Sequence, residues 1–231
     1  AYAGRLMEEE LKALDLVLGS PKRPLMAIVG GAKISTKLPL LENLLTKVDV
    51  LVIGGAMANT FLAAQGYNIG ASLYEPNLLE MARNLLAKGP EILLPQDVVV
   101  AYDLEDKGSL KTRQIADVQD TEKIFDIGSL TSQKILDKMK ACPTLLWNGP
   151  LGVFEKSPFD KGTTSVAQGA ARLTREGSLL SVAGGGDTVA ALAHAGVLNN
   201  FTYVSTAGGA FLEWLEGKPL PGVVALMGRT Q

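Results

Sequence analysis

Short runs of uninterrupted apolar residues alternate with stretches of helical periodicity, and this alternation limits the fold more than any other feature of the chain. The apolar runs are "LMAIVGG", "VDVLVIGG", "EILLPQDVVVAY", "TLLWNGP", "SLLSVAGGG" and "FTYVSTAGG". Between them lie "ISTKLPLLENLLTK", with Leu38, Leu41, Leu44 and Leu45 at helical spacing, then "NLLEMARNLLAKG", "LTSQKILDKMKA" and "GTTSVAQGAARLTREG". A strand that is apolar at every position is buried on both faces, as in a parallel sheet covered by helices on each side. The pattern therefore predicts a doubly wound α/β domain with a Rossmann-like, three-layer α/β/α arrangement. The polar, irregular segment 103–121 is expected to form an excursion or hairpin outside the main sheet. The stripe Leu6, Leu11, Leu14 and Leu18 predicts a separate amphipathic helix over residues 1–19, with one domain over 20–231.

Composition removes several classes of function. The 231 residues carry a net charge of −2 and no like-charge block, which gives no reason to expect a nucleic-acid or membrane-surface partner. No apolar run approaches the roughly 20 residues that span a bilayer, and the N-terminus has no signal-peptide pattern. One cysteine, Cys142, and one histidine, His194, exclude a disulfide framework and a Cys/His metal site. Both read as structural residues, Cys142 buried and His194 packed or at the surface. A cytoplasmic protein is expected.

Five of the apolar runs finish on glycine: Gly30-Gly31, Gly54-Gly55, Gly149, Gly184–Gly186 and Gly208-Gly209. Ligands of open parallel sheets bind at the carboxyl ends of the strands, and glycine there lets backbone approach a ligand closely. Five such ends at one sheet edge favour a large, flat ligand such as a nucleotide, although a lone glycine pair is usually only a turn. The usual signatures are absent: no G-x-x-x-x-G-K-[ST], no G-x-G-x-x-G after a strand, no protein-kinase set and no G-x-S-x-G. Lys33 and Lys37 stand four apart where a helix begins, so on a helix they would share a face. Cations are disfavoured at that end unless an anion joins them; two solvated surface lysines fit the spacing equally well. Asp187 sits at an expected N-cap position. A carboxylate beside a phosphate site is also what Mg²⁺ takes.

The motifs "GGAKISTK", "GGAMANTF", "DIGSLTSQKI", "WNGPLGVFE", "GGGDT" and "STAGGAFLEWLEGKPLPGV", in that order, resemble the C-terminal, nucleotide-binding half of phosphoglycerate kinase. The resemblance runs from about Gly4 to about Leu226 and implies one domain of a normally two-domain kinase. It implies that Lys33 and Lys37 contact the transferring phosphoryl group and the nucleotide phosphates. Asp187 is implied as the carboxylate that holds the Mg²⁺ of ADP or ATP, and Glu155 as the ribose carboxylate. Gly184, Gly185, Gly186 and Thr188 resemble the loop and helix start under the phosphates. Gly208 and Gly209 resemble the helix N-terminus offered to the migrating group. Asn148, Pro150, Gly152 and Val153 resemble the nucleotide-pocket wall, with Gly30, Gly31, Gly54 and Gly55 against the adenine. Ala207 stands where the family usually has a third glycine.

The implied reaction is reversible phosphoryl transfer between 1,3-bisphosphoglycerate and ADP, giving 3-phosphoglycerate and ATP, in glycolysis and gluconeogenesis. In the family an arginine-rich half precedes this one and holds the phosphoglycerate. Here Arg5, Arg23, Arg83, Arg113, Arg172, Arg175 and Arg229 are scattered, and the opening helix resembles the one that links the halves. The chain is thus expected to be an excised or truncated half and a monomer. It would bind MgADP or MgATP, and would meet 3-phosphoglycerate or 1,3-bisphosphoglycerate only together with the N-terminal half. A non-catalytic nucleotide-binding module and a scaffold domain are the competing readings.

Overall fold

The computed structural model describes residues 17, 19–205 and 208–218. In chain order the elements are β1 (Leu25–Val29), α1 (Leu38–Leu45), β2 (Val50–Ile53), α2 (Ala56–Ala64), α3 (Leu79–Leu86), β3 (Glu91–Leu93), β4 (Asp97–Ala101), β5 (Lys111–Gln114), β6 (Lys123–Ile127), α4 (Ser129–Lys140), β7 (Thr144–Asn148), α5 (Lys161–Arg175), β8 (Leu180–Ala183), α6 (Gly186–His194), β9 (Tyr203–Val204) and α7 (Gly208–Leu215). Among the described residues six strands form one sheet in the order β3-β2-β1-β7-β8-β9, and every pairing in it is parallel. The doubly wound α/β expectation holds.

The uninterrupted apolar runs have a direct cause. All five residues of β1 are buried, and they alternate between two cores. Leu25, Ala27 and Val29 pack with Leu41 of α1, Phe61 of α2, Ala82 of α3 and Phe211 of α7. Met26 and Ile28 pack on the opposite face with Ile135 of α4, Val166 of α5 and Leu192 of α6. A strand inside three layers has no polar side, so a period of two is invisible in it.

The run "EILLPQDVVVAY" is not the single strand that its composition suggests. It breaks at Pro95: β3 edges the parallel sheet, whereas β4 is the centre of a separate antiparallel sheet, β5-β4-β6. Proline cannot donate to a ladder and forces the chain to turn away. The excursion predicted over 103–121 exists, and it is larger than expected because it includes β4 and the unforeseen strand β6. It keeps a small core of its own around Leu62, Ile69, Val98 and Val100. Asp97 ties it back to the main domain: its carboxylate accepts the Leu130 and Thr131 amides at 3.0 and 2.7 Å, capping α4 where Gly128 supplies no side chain.

The helix expected over 1–19 lies outside the described residues, except for Val17, which is buried in the core, and Gly19. Ala207 lies outside them too. Cys142 is a buried free thiol. His194 is half exposed and pairs with Asp160 at 2.9 Å. Among the described residues no helix is long and apolar enough to cross a membrane.

Candidate functional site

Strand order reverses between β1 and β7, so helices leave these two neighbours towards opposite faces and a crevice opens at their carboxyl ends. The turns after β1 and β7 are knitted together there. The Gly30 amide donates to the Asn148 carbonyl at 2.9 Å, the Gly54 amide to Val29 at 3.0 Å and the Gly55 amide to Leu151 at 2.9 Å. The Gly149 amide donates to Thr188 Oγ1 at 2.7 Å, which joins the start of α6 to the same cluster.

The glycine pairs divide the work. A Cβ on Gly30 would fall on the Pro150 carbonyl, so this glycine lets two backbones touch. Gly31 has φ +136°, a conformation that other residues rarely adopt. The pattern repeats: Gly54 and Gly184 are crowded by Leu151 and Phe211, whereas Gly55 and Gly185 have φ of +68° and +95°. Gly30, Gly54 and Gly184 are closed in by protein; Gly31 and Gly55 also border open space, although a Cβ on Gly55 would meet the Gly31 carbonyl.

That space is a cavity of about 620 Å³ between the parallel sheet and the antiparallel excursion. Of the candidates from the sequence, Gly31, Gly55, Pro150, Gly152, Val153, Glu155 and Asp187 line it. Lys33 lies outside, in a shallower groove beside Leu73, Tyr74 and Glu75. Among the described residues nothing lies within 4 Å of a Cβ placed on Gly186, Gly208 or Gly209. Thr188 and Asn148 are buried, and their side chains bind protein. Asn148 Nδ2 donates to the Gly184 carbonyl at 2.7 Å, and its Oδ1 accepts from Lys37 Nζ at 2.6 Å.

The two lysines do not share a helical face. Residues 34–37 form turns, with the Lys37 amide donating to Ile34 at 2.8 Å. The helix α1 begins only at Leu38, with Pro39 in its first turn and Lys37 as its N-cap. Lys33 is exposed. Lys37 is drawn inward, donating to the Gly30 carbonyl at 2.7 Å and to the Asn148 carbonyl at 3.3 Å besides Asn148 Oδ1. Burial pushes its ammonium down to about 8, against an opposing pull from the Asp187 carboxylate.

Asp187 is not the N-cap. That position belongs to Gly185, which makes no side-chain cap, and Asp187 lies inside the first turn of α6. Its carboxylate is exposed and faces the cavity. A lone carboxylate at a helix start suits Mg²⁺, which takes one or two protein oxygens and completes its shell with phosphate and water. No group of three or more acidic, His or Cys residues able to hold a metal occurs among the described residues.

Several cavity residues escaped the sequence reading. Ile124, Phe125 and Asp126 of β6 form the wall opposite the glycine turns, and Asn59, Ser72 and Leu73 close one side. Asn59 is buried, and among the described residues its Oδ1 has no hydrogen-bond partner. "DIGSLTSQKI" and "GGAMANTF" contain Asp126 and Asn59, but nothing in their spacing marks them as cavity-facing. Asp126 accepts the Gly162 amide at 2.7 Å and its own Ile127 amide at 2.9 Å. Gly152 and Gly162 make room for it.

Burial raises the Asp126 carboxyl from 3.8 to about 7; the two amides oppose the rise, and Asp160 adds to it. The unfolded chain releases this proton near pH 4, and the folded protein holds it to about 7. Stability contributed by this group is therefore lost as pH rises through that window, by at most ~1.4 kcal/mol per unit. Asp126→Asn is expected to flatten the decline of the thermal midpoint between pH 5 and 7.5. A midpoint that falls equally in both proteins would contradict the assignment.

Comparison with known proteins agrees with this architecture. The family model described as phosphoglycerate kinase matches residues 1–218. The phosphoglycerate kinases of Granulibacter bethesdensis and Novosphingobium aromaticivorans are 59% and 56% identical over 98% and 99% of the chain. The chain spans only 58% and 59% of their own lengths. The solved structure of phosphoglycerate kinase from Coxiella burnetii superposes with a TM-score of 0.92 at 45% identity, over 97% of this chain and 58% of that one. The Pyrococcus horikoshii enzyme superposes at 0.81 and 30% identity, over 97% and 56%.

Proposed function

The chain belongs to the phosphoglycerate kinase family, and from that premise we propose that it is the half that binds MgADP or MgATP for phosphoryl transfer to and from phosphoglycerate. The observation that carries this reading is the cavity at the strand-order reversal, with Glu155 and Asp187 in its lining and a desolvated Lys37 behind Gly30 and Gly31. The base would lie between the glycine turns and Ile124–Phe125. Glu155 would take the ribose hydroxyls, and Lys33 and Lys37 the phosphates. Asp187 would hold Mg²⁺, which when bound neutralises phosphate charge.

In the reaction the bond between the phosphoryl group and the acyl carboxylate of 1,3-bisphosphoglycerate breaks, and a bond to the terminal oxygen of ADP forms. The carboxylate leaves without needing a proton. The protein is asked for position and charge neutralisation rather than covalent chemistry. Gly208 and Gly209 open α7, and the first-turn amides of a helix suit a migrating anion. The phosphoglycerate itself would be held by the half that precedes this one in the relatives. The reaction belongs to glycolysis and gluconeogenesis, and we place the protein in the cytoplasm as a monomer.

Calorimetry with MgADP, beside a coupled transfer assay with and without a separately supplied N-terminal half, tests the reading. Saturable binding to this chain, with transfer only when the other half is present, is the expected result. Absence of nucleotide binding would overturn the first part, and full transfer by this chain alone the second.

Lys37 adds a pH signature. With its pKa drawn down to about 8, its ammonium is half deprotonated near that pH in the free protein, and a polyphosphate favours the charged form. Binding above that pH therefore takes up a proton, and MgATP affinity falls by up to about tenfold per unit. Calorimetry at pH 8.5 in two buffers of different ionisation enthalpy measures the uptake. Identical heats in both buffers would show that Lys37 does not meet the phosphates.

A further inference from the structure

Residues 71–75 bridge the two sheets beside the cavity, and both ends are tied down. The Ala71 amide donates to the Glu122 carbonyl at 2.8 Å, and Ser72 Oγ accepts the Ile124 amide at 2.8 Å. This end is fixed to β6, the cavity wall. Further along, Asn59 Nδ2 donates to the Leu73 carbonyl at 3.0 Å, and the Glu75 amide to Thr60 Oγ1 at 3.0 Å. Asn59 and Thr60 are buried neighbours on α2, the helix that starts at the Gly55 turn.

The Glu75 carboxylate then reaches across to the turn that carries the lysines. It accepts the Ser35 amide at 3.1 Å on one oxygen and the Ser35 hydroxyl at 2.5 Å on the other. Burial alone would raise this carboxyl, yet the Ser35 bonds, the Ile34 amide and the charge of Lys33 hold it below its ordinary range. The rest of the turn is held locally, by Thr36 Oγ1 on the Lys33 carbonyl at 2.9 Å and by the Lys37 amide on Ile34 at 2.8 Å. Lys37 has its own cage of oxygens. Lys33 lies on the exposed limb, two residues before the Ser35 that Glu75 grips.

We propose that Glu75 is a positioning residue, fixing the turn of residues 33–37 so that Lys33 meets nucleotide phosphates already in place. An anchored turn spares the ordering cost that binding would otherwise incur. The inference rests on the nucleotide reading above. It also makes segment 71–75 the physical link between the base end of the cavity and its phosphate end.

The test compares affinities of the whole chain for MgATP and for adenosine, the latter by competition. Glu75→Ala is expected to weaken MgATP by about tenfold, the loss of a charge-assisted pair of bonds, and to leave adenosine within about twofold. Glu75→Gln, which keeps one acceptor, falls between. Ser35→Ala, which keeps its amide, shifts MgATP in the same direction and guards against misfolding of the first variant. In a Lys33→Ala background, Glu75→Ala adds little, because its effect passes through that lysine. Equal losses for adenosine and MgATP, or effects of Glu75→Ala and Lys33→Ala that simply add, would overturn the proposal. A wild-type chain that binds neither ligand would instead defeat the nucleotide reading on which it stands.

Discussion

Gly30→Ala is expected to lower stability by at least about 3 kcal/mol, or roughly 6–12 °C in thermal midpoint for a chain of this size. The new methyl would lie on the Pro150 carbonyl, 2.7 Å from its carbon and 2.9 Å from the Gly149 oxygen. Both neighbours are backbone, and neither can give way. The Gly149 amide is committed to Thr188, the Leu151 carbonyl to Gly55, and the Gly30 amide to Asn148. A shift of one turn therefore strains three. Gly186→Ala is the matched control: among the described residues nothing lies within 4 Å of its Cβ position, and its φ is ordinary, so the midpoint should stay within about 2 °C. Denaturation curves for the two variants check both. Equal melting of the two would contradict the picture of Gly30 as a backbone-to-backbone contact.

Lys37→Met is expected to reduce phosphoryl transfer, in the assay completed with the N-terminal half, by about 10²–10³-fold, the range for removing one preorganised charge from a transition state. The ammonium is already desolvated and held by Gly30 and Asn148, so its field acts without reorganisation. Methionine keeps most of the volume but leaves Asn148 Oδ1 without its donor. A stability loss of about 1–3 kcal/mol should therefore accompany the loss of transfer. Adenosine binding should persist, because the glycine turns and β6 do not depend on the charge. A variant that transfers within fivefold of the parent would remove Lys37 from the mechanism.

These contrasts bear on what can be read from residues alone. The parallel sheet was legible because burial on both faces leaves uninterrupted apolar runs, and β1 divides its five side chains between two cores. The second sheet was half legible. Val98 and Val100 are as apolar as any residue of the main sheet, and periodicity does not say which core they enter. Strand β6 was hidden because its Asp126 is buried for its bonds to amides rather than for apolarity. In Gly30-Gly31, Gly54-Gly55 and Gly184-Gly185 the letters are the same, yet the first glycine admits a neighbouring backbone or side chain and the second adopts a positive φ. The spacing of Lys33 and Lys37 suggested a helix face, but the helix waits for Leu38 and Pro39. Asp187 satisfied a capping pattern and a metal pattern together; the cap falls two residues earlier, at Gly185, which leaves the Asp187 carboxylate at the cavity. Glu75 and Ser35 stand forty positions apart, and only the fold brings them together.

The most direct test of the central claim is residue-resolved. Amide resonances of the isotopically labelled chain, followed through a titration with MgADP, should move saturably at Gly31, Gly55, Gly152, Val153, Glu155 and Asp187. The groove beside α4, near Gln133 and Lys138, should stay unchanged. No saturable movement, or movement centred on that groove, would contradict the assignment of the cavity as the nucleotide site.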